Sequence, residues 1–539
     1  MIWLVRDFDL LSLLLRAVSF ALEALAFGAL FFLVCVARPA GLDADAQKRL
    51  RRVGAWMALG LAAVQILLLA TTSAELMGSG GEGLGDLVSA SYFVWGSVFA
   101  AAALALAVLL RVTERLAAAV AAAGVALAAA VALSHAASRM EWRGTLLALT
   151  AGHHLGMAAW MGGLLFLLLA LKGTSDGETA RAMARRFSTM AAIAVSVLVA
   201  AGAGLAYFYA GRWGALYGTS WGILLSAKIA MTGLMLLLAV GNFLAIRGAG
   251  ENSSPFLLRL RRFSEVELGL GFTVILAAAS LTAQSPAVDE IPQNTLSGAA
   301  VVERMEWRWP SFHTPAAAQL APATPLSVAV REAAFTGGSA SDANDRAWSE
   351  YNHHWAGLIV LAAGVLALAA RVRRPRWVGL AARQWPLLFL GLAAFIVLRA
   401  DPECWPLGPR GFWGSFAAPD VLEHRIFAAL ITVFALFEWG VRTGRLRWPT
   451  ARFVFPAICA AGGALLLTHT HALGEGTDEV FAELSHTPLA VLGAAAGWSR
   501  WLELRLAGDG VSRARRVAGW VWPVCFVAIG LLLLNYRES

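Results

Sequence analysis

The chain has 539 residues, of which 59% are hydrophobic and only 14% are charged. Soluble domains carry about 25% charged residues, so this composition excludes an ordinary soluble protein. The formal net charge of +8 comes mainly from short basic segments between apolar runs. That distribution is typical of membrane topology signals, and we expect no nucleic-acid partner.

Apolar runs recur from one end of the chain to the other, each long enough to cross about 30 Å of hydrocarbon. They predict an all-α polytopic membrane bundle of about fourteen transmembrane helices whose surroundings are a lipid bilayer. The predicted spans cover residues 12–36, 53–73, 89–110, 116–135, 146–171, 188–210, 221–246, 264–284, 354–371, 385–399, 420–440, 453–470, 487–506 and 518–535.

The loops between these spans alternate in charge. Seven basic loops, at residues 38–52, 111–115, 172–186, 247–262, 371–383, 442–452 and 505–516, hold 28 of the 43 Lys and Arg residues. Basic loops stay on the cytoplasmic side of a membrane, so the other loops and both termini are predicted to be periplasmic. All ten histidines then fall at the outward ends of spans or in outward loops.

One outward segment is much longer than the other loops. This segment is predicted to divide the chain into three parts. They are an eight-span module at residues 1–284, a periplasmic linker or small subdomain at 285–352, and a histidine-rich six-span module at 353–539. Within the linker, apolar and polar residues alternate in the stretch TPLSVAVREAAF, residues 324–335, which predicts a strand.

The fifth span opens with the motif LTAGHHLGMAAWMGGLLFLLL. On a regular helix His153, Met157, Trp160 and Met161 share one face, and His154 lies close to Met161. Imidazole with thioether is a ligand set that suits Cu(I), and imidazole alone also suits Cu(II). Packing by Met and Trp, with histidines at a polar helix end, is the structural alternative. Polar groups are costly inside a membrane, which favours a functional site.

Two later segments complete a pattern: RRFSTMAAIAVSVLVAAGAGLAYFY and GALYGTSWGILLSAKIAMTGLMLLLAVGNF. Together with the histidine-headed span that runs into W-x-G-G, residues of about 88–285 resemble the copper-resistance D (CopD/PcoD) family of membrane proteins. The resemblance implies copper handling, or copper movement, at the bacterial inner membrane. Residues 353–539 look like a C-terminal extension of longer members.

A lysine is embedded in the seventh span. Lys228 either extends its side chain towards the outer interface or serves as a counter-charge along a transport path. Met231 and Met235 follow at i+3 and i+7 and could extend a thioether path inward, although core packing is their ordinary role. Trp160 is the third candidate for this path.

The second module places more histidines at its outward ends, with acidic residues between them. The metal-ligand candidates of the whole chain are His135, His153, His154, Met157, Met161, His353, His354, His424, His469, His471 and His486. For each lone histidine the alternative is a hydrogen-bonded interfacial residue. No methionine follows Met305, so this module favours Cu(II), zinc or haem over Cu(I).

These patterns leave three functions open. The first is a copper permease, which is not an enzyme and which receives its ion from a periplasmic copper chaperone. The second is a b-type haem protein in which His135 pairs with His153 or His154, and His424 with His469 or His486. The third is a copper-delivery factor for oxidase assembly. No ATPase motif occurs in the sequence, so transport would be passive or coupled to an ion gradient.

Overall fold

The structure is a computed structural model. It describes residues 8–79, 84–248, 254–315, 340–372, 379, 382–416, 418–468, 477–507 and 513–537. The chain divides into two compact units, one comprising residues 1–213 and 231–289 and the other residues 214–230 and 290–539. Every regular element in the described ranges is helical, apart from an isolated β-bridge between Cys404 and Arg410.

The first unit is a helical bundle. Its helices are α1 (Phe8–Phe32), α2 (Ala44–Ser79), α3 (Ser91–Val112), α4 (Leu116–Ala132), α5 (Arg143–Met157), α6 (Gly163–Gly173), α7 (Gly177–Ala210), α8 (Ser220–Gly248) and α9 (Ser254–Ala283). Two stretches of π-helix, Leu33–Ala37 and Ala158–Gly162, follow α1 and α5. Helix α8 begins in residues that cluster with the second unit and continues in the first. Short helices at Leu84–Ser89, His135–Ser138 and Ala215–Gly218 and a 3₁₀ turn at Ala287–Asp289 complete this part of the chain.

Helix α1 is the central element of the first unit, because it packs against α2, α9, α6 and the second π-helix. The basic loop before α7 ends in a defined cap: the Asp176 carboxylate accepts hydrogen bonds from the backbone N–H groups of Glu178 and Thr179. Hydrogen bonding from Thr179 holds the pKa of Asp176 below its usual value. The cap satisfies helix donors that have no partner within the helix.

In the second unit six helices pack as a closed ring. They are α11 (Ala340–Ala369), α12 (Leu387–Arg399), α13 (Pro419–Arg442), α14 (Val454–Leu466), α15 (Thr477–Arg505) and α16 (Arg513–Leu534). Each packs against the next, and α16 returns to α11. The short helix α10 (Gly298–Met305) precedes them in the chain. Shorter elements are the 3₁₀ turns Pro292–Asn294 and Ala451–Phe453 and the helix Phe412–Ser415.

Aromatic side chains fill the centre of this ring. The core includes Trp385, Phe389, Phe434, Phe455, Trp522 and Phe526. Charged groups surround Trp522, whose Nε1 donates to Glu503 at 3.0 Å. Glu503 also accepts from Arg371 at 2.8 Å and from Arg500 at 2.8 Å, so the part-buried carboxylate is paired with two guanidinium groups.

Ten helices of the described part of the chain are long and apolar enough to cross a bilayer. Three more apolar helices are shorter: Leu116–Ala132, Leu387–Arg399 and Ala451–Leu466. The predicted all-helical membrane bundle is therefore confirmed, whereas the number of about fourteen spans and the periplasmic location of both termini stay predictions. The predicted strand at residues 324–335 lies outside the described residues.

Candidate functional site

A buried carboxylate lies against the histidine pair of the fifth span. His154 Nδ1 is 2.7 Å from Glu23 Oε1, and only 1% of the Glu23 side chain is exposed. The ring of Phe20 meets the His154 ring edge-on. An ionised carboxylate only accepts hydrogen bonds, so a neutral imidazole that donates to it from Nδ1 carries its lone pair on Nε2. Metal-binding histidines are commonly oriented in this way.

Glycines allow α1 to approach this region closely enough for that contact. A Cβ atom on Gly28 would lie 2.4 Å from the backbone of Gly162, and one on Gly162 would lie 1.9 Å from the carbonyl oxygen of Ala24. Neither position can therefore carry a side chain. Glu23 was not among the residues predicted from the sequence. Its signal there is that it is a lone acidic residue inside the first apolar span.

The π-helix changes the geometry that the sequence predicted for the motif. One face for His153, Met157, Trp160 and Met161 assumes 3.6 residues per turn throughout, but α5 ends at Met157 and residues 158–162 are wound more widely. That assumption was wrong, because π-helical hydrogen bonds join residue i to residue i+5. Trp160 and Met161 point into the packed interior, where 2% and 4% of their surfaces are exposed, and Met157 is half-buried.

Two thioethers converge on one glycine in the middle of the first unit. A Cβ atom on Gly271 of α9 would lie 2.4 Å from the Sδ atom of Met161 and 3.3 Å from the Cε atom of Met235. Met235 and Met231 on α8 are both buried. The Met161 thioether thus occupies the space that a side chain at position 271 would fill. The Met235 side chain reaches the same position of the bundle.

A second buried polar pair lies further along the same helices. The Asn242 side-chain amide donates to Glu267 Oε1 at 2.7 Å, and both residues are buried. Glu267 precedes Gly271 by one turn of α9, and Asn242 follows Met235 by two turns of α8, so Glu267 shares the face of Gly271 and Asn242 shares the face of Met235. Neither Asn242 nor Glu267 was among the residues predicted from the sequence.

Together these groups form a series that we call the interior file. Its members are Glu23, His154, Met161, Met235, Asn242 and Glu267. At a rise of 1.5 Å per residue, the thioethers lie about 10 Å along the helices from His154 on one side and from Asn242 on the other. Lys228, two turns before Met235 on α8, is half-buried.

The other two histidines of the first unit contact different helices. His153 Nδ1 is 3.2 Å from the Leu198 carbonyl oxygen on α7. His135 Nε2 is 3.1 Å from the carbonyl oxygen of Thr282 at the end of α9, which also accepts from Arg16 at 3.0 Å. His135 thereby contacts the end of α9, whereas His153 contacts the interior of α7.

In the second unit two histidines and a tyrosine meet. The rings of His353 on α11 and His486 on α15 have centroids 5.6 Å apart and are nearly perpendicular. Tyr536, just after α16, stacks on His353 at 3.7 Å and meets His486 edge-on at 5.7 Å. His354, the next residue on α11, has Nδ1 2.9 Å from the Ser311 carbonyl oxygen and Nε2 3.1 Å from that of Tyr536.

His424 at the start of α13 forms a further carboxylate–imidazole pair. Its Nδ1 is 2.8 Å from Asp401 Oδ1, and Arg425 lies 3.8 Å from the other carboxylate oxygen. Burial, assisted by the nearby Asp401 charge, raises the pKa of the Cys404 thiol in the same loop. His469 and His471 lie outside the described residues.

Within the ranges that the structure describes, no group of three or more His, Cys, Asp or Glu side chains is gathered to hold a metal ion. The groups that do meet are carboxylate–imidazole pairs, a thioether pair and the histidine–tyrosine cluster. They are ligands of low number and mixed type.

The fold and these groups define a multi-pass α-helical membrane protein with histidine and thioether side chains at the ends and in the interior of its helices. Residues 181–281 match the family model described as CopD, copper resistance protein D. This segment is similar to the copper resistance D family and lies within the region whose sequence motifs indicated that resemblance. No curated protein and no solved structure matches.

The matched segment includes α8, α9 and most of α7, and so holds Met235, Asn242, Glu267 and Gly271. The motif with His153 and His154 precedes it, within the wider predicted resemblance of about 88–285. The prediction that residues 353–539 are an extension of this family is not confirmed. Copper involvement is indicated by the family, and no finding identifies the residues that bind it.

Proposed function

We propose that the protein binds copper ions and moves them through the helix bundle of its first unit. The convergence of the Met161 and Met235 thioethers on Gly271, between two buried carboxylate pairs, carries the proposal. Thioethers are soft ligands that favour Cu(I). Methionine also packs apolar cores, and it is the two flanking buried carboxylates that favour a cation at this position over packing alone. Copper is the cargo in this proposal, and no catalytic step is involved.

The interior file offers an ion successive partners of different chemistry. At the predicted outward end, His154 presents imidazole that is oriented by Glu23. Two turns further the ion meets thioethers, and beyond them the carboxylate of Glu267 balances its charge. Conduction needs sites that bind strongly enough for entry but weakly enough for release, which favours few ligands at each step.

The proposal places the protein in the bacterial inner membrane with its histidine-bearing helix ends in the periplasm, where a soluble copper carrier delivers the ion. We place Met157, Trp160 and Met231 along the path, whereas Lys228, the other candidate from the sequence, belongs to the second compact unit. The sequence contains no ATPase motif, so the driving force is the copper gradient or a coupled ion. These assignments rest on loop charge and on the family, together with the buried position of the file.

The test replaces the sulfur atoms and keeps the volume. In the variant Met161→Leu with Met235→Leu, side-chain volume is nearly unchanged, so the stability cost is about 1.5 kcal/mol or less per site. Cells carrying the variant should lose protein-dependent copper accumulation, measured by elemental analysis, and the purified variant should lose Cu(I) binding in a chelator competition. Met183→Leu, at a buried methionine of α7, is the matched control and should behave like the wild type.

Unchanged copper accumulation and unchanged Cu(I) affinity in the double variant would refute the thioether path. A reduced-minus-oxidised visible spectrum of the purified protein tests the haem alternative in the same preparation. A Soret band with stoichiometric iron would replace copper by haem as the bound group and overturn the proposal.

A further inference from the structure

We infer that His353 and His486 form a second metal site, which binds a divalent transition-metal ion and prefers Cu²⁺. The two residues come from α11 and α15 of the second unit, and their ring centroids are 5.6 Å apart. This site shares no residue with the interior file and contains no thioether. It therefore stands or falls independently of the proposed copper path.

The hydrogen bonds of the two rings assign the same tautomer to both. His353 Nδ1 is 2.8 Å from the Ser349 carbonyl oxygen, and His486 Nδ1 is 2.9 Å from that of Ala482. Each is the carbonyl four residues earlier on the same helix. A carbonyl oxygen only accepts, so each Nδ1 donates, and in the neutral ring Nε2 carries the lone pair that binds metals.

The ring separation suits one ion shared by the two Nε2 atoms. A metal–nitrogen distance of about 2.0 Å places the ion about 3.2 Å from each ring centre, so two rings bound at angles between tetrahedral and linear are about 5 to 6.5 Å apart. The observed 5.6 Å lies inside this range. The remaining coordination positions are left to water or to an incoming ligand.

Tyr536 and His354 hold the site in place. Tyr536 stacks on the His353 ring at an interplanar angle of 16°. Both nitrogens of His354 lie against backbone carbonyl oxygens, one of them that of Tyr536, so His354 fixes the tyrosine. The C-terminal residues are tied down further by Asn535, whose side chain accepts from the Arg308 backbone N–H at 2.9 Å.

Close helix packing brings these groups together. A Cβ atom on Gly357, one turn after His353, would lie 2.8 Å from the Leu534 backbone nitrogen, and one on Gly530 would lie 2.6 Å from that of Leu361. Small residues of this kind let membrane helices approach closely. Helix α16 therefore ends directly beside His353, which places Tyr536 on the ring.

The ligand chemistry selects the ion. Imidazole binds Cu²⁺, Ni²⁺ and Zn²⁺, and among these divalent ions Cu²⁺ has the highest intrinsic affinity. Cu(I) would be drawn to the thioethers of the first unit. The protein would then carry two sites for two oxidation states, one of imidazole alone and one that includes sulfur.

The test titrates the full-length protein in detergent with Cu²⁺ and records its electron paramagnetic resonance spectrum, in which bound nitrogen gives a resolved signature. We expect one nitrogen-coordinated Cu²⁺ that is lost, or weakened by at least about a hundredfold, in His353→Gln and equally in His486→Gln. His313→Gln, at an exposed histidine of the same unit, and Tyr536→Phe, which keeps the ring stack, should retain it. Zn²⁺ should compete for the site.

A signal that persists in either variant would overturn the two-histidine site. The wild-type protein provides a second measurement that does not depend on the folding of a variant: modification of histidines by diethyl pyrocarbonate, mapped by mass spectrometry with and without Cu²⁺. Copper should protect His353 and His486 together and leave His313 reactive, and a lack of protection would overturn the inference. The Met161→Leu, Met235→Leu variant should retain the Cu²⁺ signal, which separates this result from the fate of the copper path.

Discussion

Replacing Gly271 by alanine should displace the Met161 thioether without unfolding the bundle. The new Cβ atom would lie 1.8 Å from Cε and 2.4 Å from Sδ of Met161 in the present structure. Carbon atoms in contact are about 3.5–4.0 Å apart, so the thioether must move by more than about 1 Å. Methionine is flexible enough to make that movement by changing rotamer.

The energetic balance favours a folded variant with an altered site. Alanine gains up to about 1 kcal/mol over glycine inside a helix, whereas overpacking a core costs about 1–3 kcal/mol. The net loss of stability is therefore about 2 kcal/mol or less. Metal ligation tolerates only about 0.2 Å of displacement, so we expect Cu(I) affinity to fall by about 10- to 100-fold.

The assay is anaerobic competition for Cu(I) against a chromophoric chelator, alongside a thermal unfolding curve. Gly233→Ala is the matched control, because a Cβ atom on this glycine of α8 meets no atom within 4 Å. Its affinity should equal that of the wild type. If Gly271→Ala also binds Cu(I) with wild-type affinity, the position of the Met161 thioether is irrelevant to copper and the reasoning is refuted.

Two further predictions concern the second unit. Glu503→Gln leaves Arg371 and Arg500 without their part-buried counter-charge and should lower the free energy of unfolding by about 2 kcal/mol; denaturation in detergent measures it, and a change below about 0.5 kcal/mol would contradict the pairing. Because burial and Asp401 raise the pKa of Cys404, its thiol should resist iodoacetamide at neutral pH and react faster as pH rises past the usual thiol range. Rapid alkylation at pH 7, followed by peptide mapping, would show that this loop does not bury the thiol.

Sequence periodicity and loop charge were sufficient to predict the helical membrane bundle, since a span must be long and apolar whatever its neighbours are. The segments after the fifth span also sufficed to indicate the family that residues 181–281 match. Periodicity failed where it assumed uniform winding: the π-helix at residues 158–162 redirects Trp160 and Met161. A local insertion of this kind leaves no trace in hydrophobicity, because the residues around it are apolar on every side.

Residue type alone was enough to predict His153, His154, Met157 and the histidines of the second module as ligand candidates. Polar side chains are costly within apolar spans, so their presence there indicates a site. Tertiary structure decided which of them meet other groups. It brought Glu23 to His154 and Met235 to Met161 across helices far apart in sequence.

The sequence by itself therefore determined that the chain forms membrane-spanning helices, which residue types they carry and which family the region after the fifth span belongs to. The tertiary structure alone decided the pairings of Asn242 with Glu267 and of His353 with His486 and Tyr536. The physical reason is that hydrophobicity and charge act on each span separately, whereas these pairings depend on how closely helices approach. Because Gly271 and Gly357 have no side chain, neighbouring groups pack directly against the backbone at these two positions.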